Sequence, residues 1–285
     1  MRATLFCPDS RQNVNLVLSW PTRRCRREYP CTAMPSLAAH HAEYDDIAAD
    51  YAASKQLPFR IVVEAPTLFA LAGDVRGKTV LDLPCGDGTY SRAFARRGAA
   101  SVLGVDLSNG MVERARTSES EAPLGIRYQV GDAASLGTLG TFDLVVACYL
   151  FNYARTAGEL LTFARTVAAN LKPGGRLVGI NDNPLTAFGG LQSYAGYGFL
   201  RDVETPLREG SRIRYSFPKP DGTTFGFDNF WLSPDTYRAA FAEAGFVAFD
   251  FFECQAKLAE SQERGFWQAF LSDCPIIGLS AKRAD

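Results

Sequence analysis

The sequence predicts an α/β protein: a doubly wound, mostly parallel, seven-stranded Rossmann-like sheet with a helical N-terminal cap and an aromatic-rich insertion after the fifth strand. Three observations predict it. From Thr79 to Asn181 short apolar runs alternate with helical patterns, which calls for a parallel sheet covered on both faces. The first run, Thr79-Val80-Leu81, leads directly into Asp82-Leu83-Pro84-Cys85-Gly86-Asp87-Gly88, an acid and two glycines in a tight loop ahead of a helix beginning near Thr89. The next two runs also end in acids: Ser101 to Val105 stops at Asp106, and Ile126 to Val130 precedes Gly131-Asp132-Ala133.

The remaining elements follow in order. Residues from Pro35 to about Ala72 read as two helices before the sheet, with Tyr44, Ile47 and Tyr51 sharing a face. Phe142 to Tyr149 is a fourth strand. Thr156 opens a helix, with Glu159 three residues on as a capping box. Lys172-Pro173-Gly174-Gly175 stops that helix, and Arg176 to Ile180 is the fifth strand. Residues 185–230 then carry Phe188, Tyr194, Tyr197, Phe199, Tyr215, Phe217, Phe225 and Phe227, too aromatic for a linker. They read as a partly stranded substrate cover, because doubly wound folds bind ligands outside the carboxyl ends of their strands. Ser233-Pro234 opens another helix, Gly245 closes it, and Val247 to Glu253 with Ile276 to Ala281 supply the last strands, an antiparallel ending.

Composition bounds the rest. With 285 residues, 47% of them hydrophobic, the chain can bury a full core, and residues 34–285 are expected to form one domain. A formal net charge of -1 gives no broad attraction for nucleic acid or an anionic membrane, so a small-molecule partner is expected. The 7 cysteines lack paired metal spacing, which favours reduced thiols and a cytoplasmic setting. Residues 1–33, with Arg23-Arg24-Cys25-Arg26-Arg27, are expected to be a disordered extension, with Met34 as an alternative start; an arginine-rich transit peptide is the competing reading.

The loop residues narrow the ligand. Glycines let the backbone approach closely, and a helix N-terminus offers free N–H groups. A dinucleotide fingerprint needs a third glycine where this chain has Ser91. Asp82 and Asp87 would repel a pyrophosphate and suit an ammonium or sulfonium. Asp106 stands where a carboxylate accepts from ribose hydroxyls, and Asp132 where one accepts from an adenine amino group. The alternative, that Asp106 and Asp132 only cap the helices that follow, stays open.

From about Tyr44 to Ala281 the chain resembles a class I S-adenosylmethionine-dependent methyltransferase, through Asp82 to Gly88, Gly104-Val105-Asp106, Gly131-Asp132-Ala133 and Leu171-Lys172-Pro173-Gly174-Gly175. More narrowly it is similar to small-molecule N-methyltransferases of the toxoflavin type, through Tyr44 to Ala48, Tyr51, Ser54-Lys55, Leu57 to Arg60, Asn152-Tyr153-Ala154, Asn181 to Pro184 and Pro275 to Leu279. Pro84 departs from the family pattern, which has alanine or glycine there.

The resemblance implies S-adenosyl-L-methionine as cofactor, held by Tyr44, Tyr51, Arg60, Asp82, Cys85, Gly86, Gly88, Asp106, Leu107, Met111, Asp132, Ala133 and Cys148. Arg60 is the natural partner of the methionine carboxylate. The acceptor would be a nitrogen or oxygen of a small heteroaromatic or secondary-metabolite substrate. Tyr149, Asn152, Tyr153 and Asn181 to Asn183 are candidates to orient it, with Asp182 the best base and His41 a second. Catechol O-methyltransferases hold magnesium through acids after the fourth and fifth strands; here Cys148-Tyr149 ends the fourth, so no metal is expected. Two alternatives remain: a methyltransferase-like protein that binds the cofactor but guides a cyclisation, and a non-catalytic binding module.

Overall fold

The computed structural model describes residues 54–186, 189–219, 221–259 and 263–285, all within the compact unit Ser36–Asp285. The expectations for residues 1–33 and for His41, Tyr44 and Tyr51 lie outside the described residues. No helix among the described residues is long and apolar enough to cross a membrane.

A π-helical turn, Arg60–Glu64, runs straight into α1 (Ala65–Ala72). Then come β1 (Thr79–Asp82), α2 (Thr89–Arg96), β2 (Ser101–Asp106), α3 (Asn109–Glu121), β3 (Arg127–Val130), β4 (Phe142–Cys148), α4 (Ala157–Ala169) and β5 (Leu171–Asp182). Four strands follow: β6 (Gly190–Tyr194), β7 (Phe199–Val203), β8 (Ser211–Pro218) and β9 (Thr224–Trp231). The chain closes with α5 (Pro234–Glu243), β10 (Phe246–Phe252), α6 (Arg264–Ser272) and β11 (Ile276–Arg283). The caps anticipated from sequence form: Thr156 Oγ1 accepts from the Glu159 N–H at 3.2 Å, and Glu159 reaches back to the Arg155 N–H at 2.7 Å. Helix α6 is a correction to the sequence reading, which left its residues unassigned.

Seven strands make the main sheet in the order β10-β11-β5-β4-β1-β2-β3. β1 to β5 pair in parallel, and β11 runs antiparallel between β5 and β10. The order reverses between β1 and β4, the switch point at which open α/β sheets take ligands. Side chains alternate across β4. Leu144 and Val146 join the apolar layer containing Leu68, Phe94 and Val112, while Val145 and Ala147 join the layer containing Leu160, Phe163 and Phe241. Burial on both faces is why these strands read as continuous apolar runs. β5 is longer than expected. Leu171 pairs with Phe142, the Lys172 to Gly175 segment bulges out, and pairing resumes with Arg176 opposite Leu144.

The aromatic insertion is a second, four-stranded antiparallel sheet in the order β6-β7-β8-β9. Its register brings residues of alternate parity to one face. Tyr194, Phe199, Phe217 and Phe225 form one cross-strand row; Gln192, Arg201, Tyr215 and Phe227 form the next; Val203, Ile213 and Asn229 form the third. This face packs onto Phe59 and Phe270. At the base, Trp231 Nε1 donates to the Pro184 carbonyl at 3.2 Å, joining the exit of the insertion to its entrance.

Close approach of β4 to β5 yields a test. A Cβ on Gly179 would stand 2.0 Å from the Ala147 carbonyl oxygen, a backbone atom that cannot step aside. Gly179→Ala is expected to cost about 3 kcal/mol of stability, at the upper end of overpacking penalties. Gly137→Ala, whose added carbon meets open space, is expected to change little. Urea unfolding of the two variants checks both.

Candidate active site

The carboxyl ends of β1, β2 and β4 bring their residues to one crest. Gly86 (φ 54°) and Gly88 (φ 81°) adopt left-handed backbone, which side-chain-bearing residues resist. A Cβ on Gly88 would also stand 2.5 Å from the Tyr128 hydroxyl. The loop is tied to β2: the Gly86 N–H donates to Asp106 Oδ2 at 2.7 Å, the Ser108 N–H to Oδ1 at 2.9 Å, and the Cys85 N–H to the Val105 carbonyl at 2.9 Å. Each Asp106 oxygen has accepted one bond and keeps capacity for another. Burial pushes the Asp106 carboxyl up, opposed by those two N–H groups.

Asp82 is 1% exposed at the end of β1. Its Oδ2 accepts from the Ser91 hydroxyl at 2.6 Å, and its Oδ1 has no partner. Burial raises this carboxyl to about 7. The other loop acids have local duties. Asp87 accepts from the Thr89 N–H and hydroxyl at 3.2 and 2.7 Å, and Asp132 from the Ala134 N–H at 2.8 Å. No helix follows β3, so Asp132 ties down a turn, and the helix after β2 is capped by Ser108; neither acid is the helix cap of the alternative reading. Ala133 is buried beside it, Leu107 is partly buried, and Met111 is buried at the start of α3. Burial pushes the thiols of Cys85 and Cys148 upward, so neither is a nucleophile.

Glu64 is the residue that sequence reasoning missed. Its side chain is fully buried and accepts from Arg60 Nη1 at 2.8 Å and from the hydroxyls of Tyr90 and Tyr149. Burial pushes the carboxyl up, but the charges of Arg60 and Lys55 and the two phenols outweigh it, and Glu64 stays below the usual carboxylate range. Arg60 also donates through Nε to the Ser54 carbonyl at 3.2 Å, so the arginine expected to hold a ligand carboxylate is already shared with Glu64. The Lys55 ammonium lies 5.6 and 5.9 Å from the ring centres of Tyr90 and Tyr149 and stabilises the charged forms of Glu64, Asp82 and Asp106. A signal for Glu64 existed: two opposite charges four residues apart, flanking Ile61-Val62-Val63.

Beyond β4, Tyr149 adopts φ 63°, the one non-glycine residue with positive φ among the described residues. An aromatic side chain there is strained, and such strain concentrates at functional sites. Its hydroxyl is bound to Glu64, and burial followed by the Glu64 charge pushes the phenol up, so it stays protonated. Beyond β5, Asp182 is 5% exposed and accepts from Asn229 Nδ2 at 2.8 Å. Burial raises its carboxyl, against the pull of Arg201, Asn229 and Tyr215. Arg60, Tyr149, Asp182, Phe199, Tyr215 and Asn229 line one narrow cleft with Phe59, Phe217, Phe227 and Ile276. The neighbouring asparagines turn elsewhere: Asn181 donates to the Tyr237 hydroxyl at 2.9 Å and Asn183 to the Cys274 carbonyl at 3.0 Å. Asn152 is fully buried, outside that cleft. No metal-binding cluster of acids, histidines and cysteines occurs among the described residues.

Residues 80–175 match a family model described as a methyltransferase domain. An S-adenosylmethionine dependent methyltransferase from Mesorhizobium loti is 23% identical, with a TM-score of 0.57 over 77% of this chain and 97% of that one. CalS10, an amino pentose methyltransferase from Micromonospora echinaspora involved in calicheamicin biosynthesis, is 21% identical, with a TM-score of 0.52 over 90% of this chain and 100% of that one. The ubiquinone biosynthesis O-methyltransferase of Coxiella burnetii is 30% identical over 140 residues, 48% of this chain and 58% of its own length. The chain spans about half the length of the curated relatives it matches. Motif, topology and likeness agree on the fold: it is that of class I S-adenosylmethionine-dependent methyltransferases.

Asp82 gives a pH prediction. With its carboxyl raised from 3.8 to about 7, the native state keeps a proton that the unfolded chain releases earlier. That contribution to stability is complete below the ordinary carboxylate pKa and is lost as pH rises through about 7. Asp82→Asn is expected to gain on the native protein steadily from pH 4.5 to about pH 7 and then to level off, read as the difference between their urea midpoints.

Proposed function

We propose that this chain is an S-adenosylmethionine-dependent methyltransferase that modifies a nitrogen or oxygen of a small, flat acceptor, heteroaromatic or a secondary metabolite. The observation that carries the reading is Asp82: a buried carboxylate oxygen with no partner, under a left-handed glycine loop and beside the buried Asp106. A ligand that brings an ammonium and ribose hydroxyls completes both acids, whereas a pyrophosphate would face repulsion from Asp82, Asp87 and Asp106. The names of the O-methyltransferase of ubiquinone biosynthesis and of the amino pentose methyltransferase point to small acceptors.

When bound, the cofactor supplies a methyl group activated on a sulfonium. The chain contributes position, charge and exclusion of water. Gly86, Gly88 and the neighbouring Cys85 set the closeness of the loop; Asp82, Asp106 and Asp132, with Leu107, Met111 and Ala133, hold the amino and nucleoside parts. Arg60, held in place by Glu64, brings its positive charge to the cleft, where it would attract a carboxylate, and Cys148 leaves room as a small wall residue. Tyr149, fixed by its bond to Glu64, presents its ring to the cleft. Phe199, Phe217 and Phe227 keep water from the acceptor side.

Asp182 takes the acceptor's proton in this reading, because burial keeps its carboxyl more basic than an exposed aspartate. His41, Tyr44 and Tyr51 remain part of the proposal from the resemblance alone. A cytoplasmic setting fits the unpaired thiols Cys85, Cys148, Cys254 and Cys274.

Incubation of the full chain with methyl-labelled cofactor and a panel of heteroaromatic amines, ring nitrogens and phenols should give products in which one hydrogen is replaced by labelled methyl. A product isomeric with its substrate would instead assign a cyclisation. Asp106→Ala is expected to weaken calorimetric binding of S-adenosylhomocysteine at least about tenfold, the loss of a charge-assisted bond. Undiminished binding by that variant, or binding of nicotinamide dinucleotides in preference, would overturn the reading.

A further inference from the structure

Two cysteines meet at the ends of neighbouring strands. Cys254 follows β10 and Cys274 precedes β11, and both are buried free thiols. The Cys254 thiol donates to the Ile276 carbonyl at 3.4 Å and lies within hydrogen-bond reach of the Cys274 sulfur. Donation from Cys254, opposed by burial and aided by the Ile276 N–H, holds the Cys274 thiol below its ordinary range. The same hydrogen bond, with burial, pushes the Cys254 thiol up. Cys85 and Cys148 are also pushed up, by burial first and then by neighbouring carboxylates. A sulfur whose anion is stabilised, next to one that keeps its proton, is the arrangement of an attacking and a resolving thiol.

The backbone beside each sulfur is tied to a different part of the cleft. After Cys254, the Gln255 N–H donates to Thr67 Oγ1 at 2.9 Å and the Lys257 N–H to the Val62 carbonyl at 2.8 Å. These bonds hold the π-helical turn that carries Arg60 and Glu64. The Cys274 carbonyl accepts from Asn183 Nδ2 at 3.0 Å and from Thr186 Oγ1 at 3.2 Å, at the entrance to the second sheet. Between the two cysteines the chain carries α6, whose Phe270 packs on Phe59 and Tyr194. Phe59 lines the cleft, so α6 backs its wall. A bond between the sulfurs would close this segment of about twenty residues and raise the cost of opening it.

We propose that Cys254 and Cys274 form a peroxide-sensitive dithiol, and that their disulfide fastens α6 against the wall of the cleft. The Cys274 thiolate attacks one oxygen of hydrogen peroxide or an organic hydroperoxide. The O–O bond breaks, Cys274 becomes a sulfenic acid, and the other oxygen leaves as water or an alcohol. The Cys254 sulfur then attacks the Cys274 sulfur. The S–O bond breaks, the S–S bond forms, and the hydroxyl leaves with the Cys254 proton as water. The two sulfurs together lose two electrons, and the peroxide gains them.

The full chain, reduced and then exposed to a small excess of hydrogen peroxide, is alkylated and mapped by peptide mass. A Cys254–Cys274 link that dithiothreitol reverses is expected. In the linked chain the amide hydrogens of α6 should exchange at least about tenfold more slowly, and the urea midpoint should rise. In Cys254→Ser no resolving sulfur remains, so dimedone should trap a sulfenic acid on Cys274; in Cys274→Ser the Cys254 sulfur should stay a thiol. The proposal is overturned if the link fails to form in the folded chain, if either sulfur joins a different cysteine, or if exchange in α6 is unchanged after linkage. A dimedone adduct on Cys254 in Cys274→Ser would overturn it as well. Mapping and exchange need only the native chain, so they decide the matter even if a serine variant fails to fold.

Discussion

Keeping carboxylates ionised, or ready to ionise, where water cannot reach them is the constraint on which the structure turns. Asp82, Asp106 and Glu64 are all buried at or above the crest of the main sheet, and each is compensated differently. Glu64 has an arginine, a lysine and two phenols. Asp106 has two backbone N–H groups, and Asp82 has one serine and an unmet oxygen. The glycine loop takes its shape from this. Gly86 must turn left-handed to offer its N–H to Asp106, and the approach of Tyr128 leaves no space for a side chain at Gly88. The π-helical turn ahead of α1 serves the same end, placing Arg60 and Glu64 within one turn of each other and both inside.

The crest of the main sheet and the second sheet are built on different principles. The crest uses loops at the ends of parallel strands, where backbone N–H groups are free and small shifts in the loop re-aim them. The second sheet uses an antiparallel register in which every second residue of β7, β8 and β9 faces inward, and Phe199, Tyr215, Phe217, Phe227 and Asn229 among them line the cleft. A slip of one residue would send Arg201 and Tyr215 to the outside and expose Phe199 and Phe217 with them. The apolar members of the row therefore hold the polar ones in place, at a cost in desolvation.

Much of this was legible in the sequence because it is local. The strand-acid-glycine order at Asp82 to Gly88 and the acids at Asp106 and Asp132 follow from residues adjacent in the chain. So do the caps at Thr156 and Ser233, and all of these stand where the reading placed them. What escaped was long-range. Glu64 matters because Tyr90 and Tyr149, distant in sequence, converge on it, and nothing near Glu64 announces them. Arg201 stands as a charged residue at an inward position of an otherwise alternating strand; alone it reads as a surface arginine on a register shifted by one. Helix α6 escaped because its Phe266-Trp267 pair and Phe270 carry no stop or start signal that separates a helix from a strand over so short a span.

The bond between Trp231 and Pro184 means that the forty-odd residues of the second sheet leave the main sheet and return to it at nearly the same point. The second sheet's covalent ties to the main sheet are confined to that point, and side-chain packing on Phe59, Phe266 and Phe270 holds it besides. The main sheet and the second sheet can thus vary separately in sequence, provided that the rings at their contact are kept.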